Sequence, residues 1–213
     1  GHASIFVETQ ASGSILCDPW VNPAYFASWF PFPDNSGLDW DRLGDCDYLY
    51  VSHLHRDHFD AKNLADHVRK DTVVLYPDFP TGDLETELRD LGFTDLRRLP
   101  NEEVVELDGG LKVMIQAMTA PTDGPLGDSS IWMEDVDGVR LLNQNDARPA
   151  ELSTFAKLGH VHAHLPAAHG PGRVARLHLL AGARHRRQWC IGIAAAATAA
   201  VASRIATAVD PAV

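Results

Sequence analysis

Cysteine is scarce in this chain of 213 residues: Cys17, Cys46 and Cys190 stand far apart, with no Cys-x-x-Cys pair. That excludes a disulfide framework and a thiolate zinc site, and a reducing cytoplasm is the compartment that fits. Basic charge is short as well. Lys and Arg number 18 against 29 Asp and Glu, and the net charge of −11 argues against a nucleic-acid-binding surface, because phosphate backbones are held by clustered Lys and Arg. No apolar run is long enough for a bilayer span; the stretch from Trp189 to Ser203 is mostly Ala and ends at Arg204. The chain begins inside what reads as a strand, so no cleavable signal is expected at its start. Acidic residues are missing from one end. Beyond Glu151 only Asp210 remains, while the segment from His160 onward carries six Arg, six His and sixteen Ala. The length suits one substantial core, so the expectation is one domain over 1–164 followed by an atypical Ala/Arg-rich tail over 165–213.

What the sequence does have is Ser52-His53-Leu54-His55-Arg56-Asp57-His58, directly after the apolar run Tyr48-Leu49-Tyr50-Val51. Three imidazoles and a carboxylate within six residues leave the end of one buried strand together. Neutral imidazole and carboxylate are ligands that borderline divalent cations such as zinc prefer. Strand alternation would point His53, His55 and Asp57 to one side, and the following turn would bring His58 round to them. A solvated His-rich loop is the alternative, but His-x-His-x-Asp-His after an apolar strand favours a metal site.

Together with Gly1-His2-Ala3-Ser4 and Ile15-Leu16-Cys17-Asp18-Pro19-Trp20, this motif resembles the metallo-β-lactamase superfamily. Within it, the Gly-His-Ala opening and the Asp-Pro-Trp strand end are similar to the ascorbate-6-phosphate lactonase-like branch, and Asp18 to Asp146 also resembles the β-lactamase-like domain of CMP-N-acetylneuraminate hydroxylase-like proteins. The resemblance implies an α/β fold, the four-layer αββα metallo-β-lactamase sandwich, incomplete at both ends here. It implies one or two divalent ions, zinc foremost, with manganese or iron as alternatives. It places His53 and His55 on one metal, Asp57 and His58 on a second, and Asp146 between them; Asp18 would support the metal loop from behind, and His2 would sit under the site.

Taken in order, Ala3–Val7 and Ser14–Cys17 read as a hairpin, and Asp18-Pro19 ends the second strand. Val21 to Trp40 reads as a loop holding Tyr25, Phe26, Trp29, Phe30, Phe32 and Trp40, either wedged onto the core or forming a pocket wall suited to a substrate with an apolar or planar part. Ala61–Lys70 and Leu84–Leu91 have helical spacing, and Thr72–Tyr76 and Leu96–Leu99 read as strands. Two hairpins follow, Val104 to Met118 and Ser130 to Leu142. The superfamily pattern asks for a third histidine after Met118, and none is there. Thr119, Thr122, Asp123 and Asp128 stand in its place. Asp123 is the candidate replacement, competing with a turn role beside Gly124. Asp146 is either a ligand or a cap before Pro149. His164 or His169 would supply the last metal histidine. From about Leu165 the resemblance stops, as a frame error in a GC-rich gene would produce.

Three functions compete. The first is hydrolysis of a lactone, phosphoester or related bond of a small-molecule substrate by metal-bound hydroxide, with Asp57 and His58 in catalysis. The second is a CMP-N-acetylneuraminate hydroxylase-like domain. The chain has no Cys-x-His pair of Rieske type, so its electrons would come from another segment or protein. The third is a non-catalytic nucleotide- or sugar-binding relative.

Overall fold

The computed structural model describes residues 3–9, 11–119, 126–149, 153–165 and 190–193. Its frame is two sheets packed face to face. The first has strands β1 (Ile5–Glu8), β2 (Ser14–Cys17), β3 (Tyr48–Tyr50), β4 (Val73–Pro77), β5 (Leu96–Leu99) and β11 (Cys190–Ile193), in the order β11-β1-β2-β3-β4-β5. The second has β6 (Val105–Glu106), β7 (Lys112–Met118), β8 (Asp128–Glu134), β9 (Arg140–Asn143) and β10 (Ala163–Leu165), in the order β10-β9-β8-β7-β6.

Sequence pattern explains this arrangement. β3 runs parallel between β2 and β4, and a strand covered on both faces must be apolar throughout; Tyr48, Leu49 and Tyr50 are all buried. Ile15, Tyr50 and Leu75 from the first sheet meet Val113, Ile115, Ile131 and Met133 from the second in the central core. Alternation sends Leu16, Leu49 and Val74 to the opposite face, where Leu64 of α2 (Ala61–His67) and Leu84 and Leu88 of α3 (Asp83–Asp90) cover them. On the outer face of the second sheet, Met114, Trp132 and Leu142 pack under Phe155 and Leu158, next to α4 (Ser153–Ala156). The layers therefore run α, β, β, α, as the fold-class expectation required.

Local chemistry sets the helix starts. Asp60 caps α2 by accepting from the Asn63 N–H, and α3 carries Asp83 and Glu85 in its first turn and Arg89 in its last, which matches its dipole. One helix went unread. In the segment taken as loop, Asp39 accepts from the Arg42 N–H and starts α1 (Trp40–Gly44), so Trp40 is a core residue rather than part of a pocket wall.

Of the tail expected over 165–213, the described residues beyond β10 are Cys190–Ile193, paired antiparallel with β1. His2, Asp123 and His169 lie outside the described residues. Among the described residues no helix is long and apolar enough to cross a membrane.

Candidate metal centre

The site lies where β3 gives way to the His-rich loop. β3 ends at Tyr50, so the motif itself is not a strand. Instead the chain turns helically, the Phe59 N–H donating to the His55 carbonyl at 2.7 Å and the His58 N–H to the same oxygen at 2.9 Å. The expected alternation is corrected accordingly: His53, Asp57 and His58 are buried, at 1%, 3% and 0% exposure, while His55 is exposed.

His53, His58 and Asp146 are brought together, each offering a ligand atom within 4.8 Å of the others. The His58 Nε2 lies 3.3 Å from Asp146 Oδ2 and 3.8 Å from Asp57 Oδ2. His55 sits at the rim, its Nδ1 2.9 Å from His53 Nε2. Two imidazole nitrogens and a carboxylate oxygen, with a further histidine and carboxylate at the edge, form a donor set suited to zinc or iron. His164 does not join them. It pairs with Leu142 in register, beside Phe155 on the outer face of the second sheet, and its Nε2 contacts Gln144 Oε1 at 3.1 Å.

Asp18 holds this arrangement from behind. Wholly buried and with φ of 42°, it takes the Ser52 N–H on Oδ1 at 2.8 Å, and on Oδ2 the Ser52 hydroxyl at 2.7 Å, the His58 Nδ1 at 2.9 Å and the Asn145 side-chain N–H at 2.5 Å. The left-handed backbone is one that Asp and Asn tolerate better than other side chains, and Asn145 shares it, with φ of 56°. Ser4 secures the turn further, its hydroxyl donating to the Asp18 carbonyl at 3.0 Å and accepting from the Trp20 N–H at 2.8 Å. Such a carboxylate fixes which imidazole nitrogen is left free for a ligand.

The two buried imidazoles are driven apart electrostatically. Burial, followed by the neighbouring His58 and His55, pushes the His53 pKa well below the usual histidine value. Burial also works against charge on His58, but hydrogen bonds and charge from Asp146 and Asp18 outweigh it and push its pKa up to about 10. His58 thus sits between two carboxylates, Asp18 and Asp146, that favour positive charge on it.

Three contributors were not assigned to the site from sequence, although Asp128 stands among the residues named after Met118 and Tyr25 among the loop aromatics. Asp128 opens β8 directly opposite Met118, and its Oδ1 lies 3.5 Å from His53 Nδ1. It stands where the third histidine is expected, carried there by the long-range register of β7 and β8. Ser129 links the sheets beneath the site, its hydroxyl 2.7 Å from the Tyr50 hydroxyl and donating to the Ser52 carbonyl at 2.8 Å. Tyr25, taken only as an aromatic, donates its hydroxyl to Asp57 Oδ1 at 2.9 Å.

Solved structures share this architecture. An isothiocyanate hydrolase from Delia radicum gut bacteria superposes with a TM-score of 0.53 at 18% identity, over 74% of this chain and 65% of that one. Igni18, a metallo hydrolase from Ignicoccus hospitalis, gives 0.50 at 20% identity, over 74% and 64%. This is a metallo-β-lactamase fold. CmlA, a diiron β-hydroxylase from Streptomyces venezuelae, has the same fold, at a TM-score of 0.52 and 16% identity over 77% of this chain and 34% of that one. No family model matches the chain. By sequence it is 58% identical over 169 residues to a protein of Mycobacterium tuberculosis that carries the provisional name Rieske 2Fe-2S iron–sulfur protein, and 54% identical over 169 residues to one of like name in Mycolicibacterium smegmatis. Each match covers 78% of this chain and 32% of the relative, so the chain spans about a third of the length of these relatives.

Proposed function

We propose that this chain is the metal-binding part of an enzyme that hydrolyses a small molecule. The observation that carries the reading is the convergence of His53, His58 and Asp146 within 4.8 Å in a buried setting. Those three residues would hold the ion, with His55, Asp57 and Asp128 around it, and zinc is the metal that best suits hydrolysis. A bound divalent ion lowers the pKa of water from about 16 to about 7 and polarises the bond under attack.

The chain's own residues supply the rest. Asp18 keeps His58 Nδ1 engaged at 2.9 Å, so that Nε2 is the nitrogen turned toward Asp146. Asp57, its Oδ1 fixed by Tyr25, turns Oδ2 toward His58 and orients water or receives its proton. Metal analysis of the purified protein tests the reading: at least one equivalent is expected, and His58→Ala, which removes a direct ligand, should weaken binding by more than the roughly 10–100-fold typical of losing a residue that only supports a ligand. Less than one equivalent, unchanged by His53→Ala, would instead favour a binding module that kept the fold.

A second reading is favoured by a specific observation, the 58% identity to a relative named for a Rieske centre. On that reading the metal is iron and the reaction a hydroxylation with dioxygen as the oxidant, one oxygen atom entering the substrate and the other leaving as water with two electrons and two protons. The electrons come from an iron–sulfur segment outside this chain, because the 213 residues contain no Cys-x-His pair. Iron rather than zinc at stoichiometric level, with reduction of the site by an added iron–sulfur protein, is the result that would replace hydrolysis with hydroxylation.

A further inference from the structure

Beside the metal loop lies a concavity of about 620 Å³, lined by Asn22, Tyr25, Phe26, Arg56, Phe59 and Lys62 among others. It adjoins the proposed centre through Arg56 and Phe59, chain neighbours of Asp57 and His58, and through the hydrogen bond from the Tyr25 hydroxyl to Asp57.

Its aromatic wall is held under strain. Tyr25, Phe26 and Ala27 are consecutive left-handed residues, with φ of 49°, 57° and 58°, a conformation costing L-residues roughly 1–2 kcal/mol each. Two backbone hydrogen bonds between Ala24 and Trp29, at 3.0 and 3.2 Å, and the Ser28 N–H to the Tyr25 carbonyl at 3.1 Å close the loop around them. The outcome is a phenyl ring at Phe26 standing entirely outside the core and a Tyr25 ring only part-buried. Strain of this kind persists where a fixed presentation of side chains matters.

The charge of the lining is the second observation. Asp60 is already occupied, accepting from the Val21 and Asn22 N–H groups at 2.9 and 2.7 Å, from the Asn22 amide and from the Asn63 N–H. Lys62 is paired with Asp66 on its own helix. Among the described residues no carboxylate lies within ion-pair range of the Arg56 guanidinium, although other arginines, such as Arg69, Arg89 and Arg98, have acidic partners. An uncompensated guanidinium therefore borders an aromatic wall in a chain whose net charge is −11.

Taking the metal site as proposed above, we infer that its substrate is an anion with a planar apolar part, the anionic group bound by Arg56 and the plane laid against Tyr25 and Phe26. A guanidinium matches carboxylate and phosphate oxygens with paired N–H donors, and stacking of the planar part buries the otherwise solvated Phe26 ring.

Calorimetry on the full chain, metal-loaded and metal-stripped, tests this with benzoate, phenylphosphonate, methylphosphonate and benzyl alcohol. At least one of the two aromatic anions is expected to bind about tenfold more tightly than methylphosphonate or benzyl alcohol, and whichever leads identifies the group as carboxylate or phosphate-like. Arg56→Ala lowers that affinity about tenfold in both metal states, and Phe26→Ala brings the aromatic anion toward methylphosphonate. Arg56 is exposed, so its replacement leaves the fold and the metal content intact. Equal binding by Arg56→Ala and the parent protein, or benzyl alcohol binding as well as benzoate and phenylphosphonate, would overturn the assignment. Metal content is read separately: Arg56-dependent binding in a protein that takes no metal would sink the catalytic reading alone, whereas a loaded metal with Arg56-independent binding would sink only the substrate class.

Discussion

Replacing Asp18 by Asn changes one oxygen into an amino group without disturbing the backbone, since Asn tolerates the left-handed φ of 42° as well as Asp does. Four donors converge on that carboxylate: the Ser52 N–H on Oδ1, and the Ser52 hydroxyl, His58 Nδ1 and Asn145 amide on Oδ2. If the new oxygen takes the Oδ2 position, the amino group faces the Ser52 N–H. If it takes the Oδ1 position, the amino group faces three donors; the hydroxyl can rotate and the Asn145 amide can flip, but the His58 Nδ1–H is left pointing at it. Either way a buried donor loses its acceptor, at about 1–3 kcal/mol, and the charge opposite His58 is gone. Asp18→Asn should therefore lose about 3 kcal/mol of unfolding free energy in urea, and weaken metal binding about 10–100-fold. Asp18→Ala should lose about 1 kcal/mol more from the backbone. A loss under about 1 kcal/mol together with unchanged metal affinity would mean that Asp18 does not organise the site.

Two further outcomes follow from the packing and the charges. A Cβ on Gly44 would stand 2.1 Å from the His67 carbonyl oxygen and 3.0 Å from the Val68 Cα, both backbone atoms, so Gly44→Ala should force α1 off α2 and cost about 3 kcal/mol, seen as a lower melting temperature; an unchanged melt would show that the two helices are not packed as described. Glu134 is held below its ordinary pKa, first by the hydrogen bond from Arg140 and then by that from Lys112, with burial opposing. Its stabilisation is complete above the unfolded value near 4.5 and is lost as pH falls through the depressed folded value. Glu134→Gln should flatten the stability–pH curve as pH falls below about 4.5 by no more than about 1 kcal/mol, the partners being partly exposed; an identical curve would remove Glu134 from the acid response.

Much of this fold could be read from period alone, because burial on both faces leaves little choice. Tyr48 to Tyr50 had to be a central strand, and Leu84 and Leu88, four apart between charges, had to face a sheet. The site was legible as far as residue type goes and no further. The His-rich motif could be picked out, but a strand's alternation was extended as far as Asp57, seven residues past the strand's end at Tyr50. The helical turn from His55 to Phe59 then reversed the outcome for His55, which is exposed, while burying His58. What the sequence hides more deeply is pairing across distance. Asp128 reaches His53 only because β8 begins opposite Met118, a register that depends on the whole β7–β8 ladder. Asn145 reaches Asp18 only because two chain turns 127 residues apart adopt the same left-handed backbone. Neither contact leaves a local signature. The absent third histidine therefore need not mean a lost site: a carboxylate delivered by register stands beside His53, and oxygen in place of nitrogen there would shift metal preference from zinc toward harder ions. Competition between zinc and manganese or iron for the parent protein and for Asp128→His measures that shift directly. If zinc preference is the same in both, Asp128 takes no part in the choice of metal.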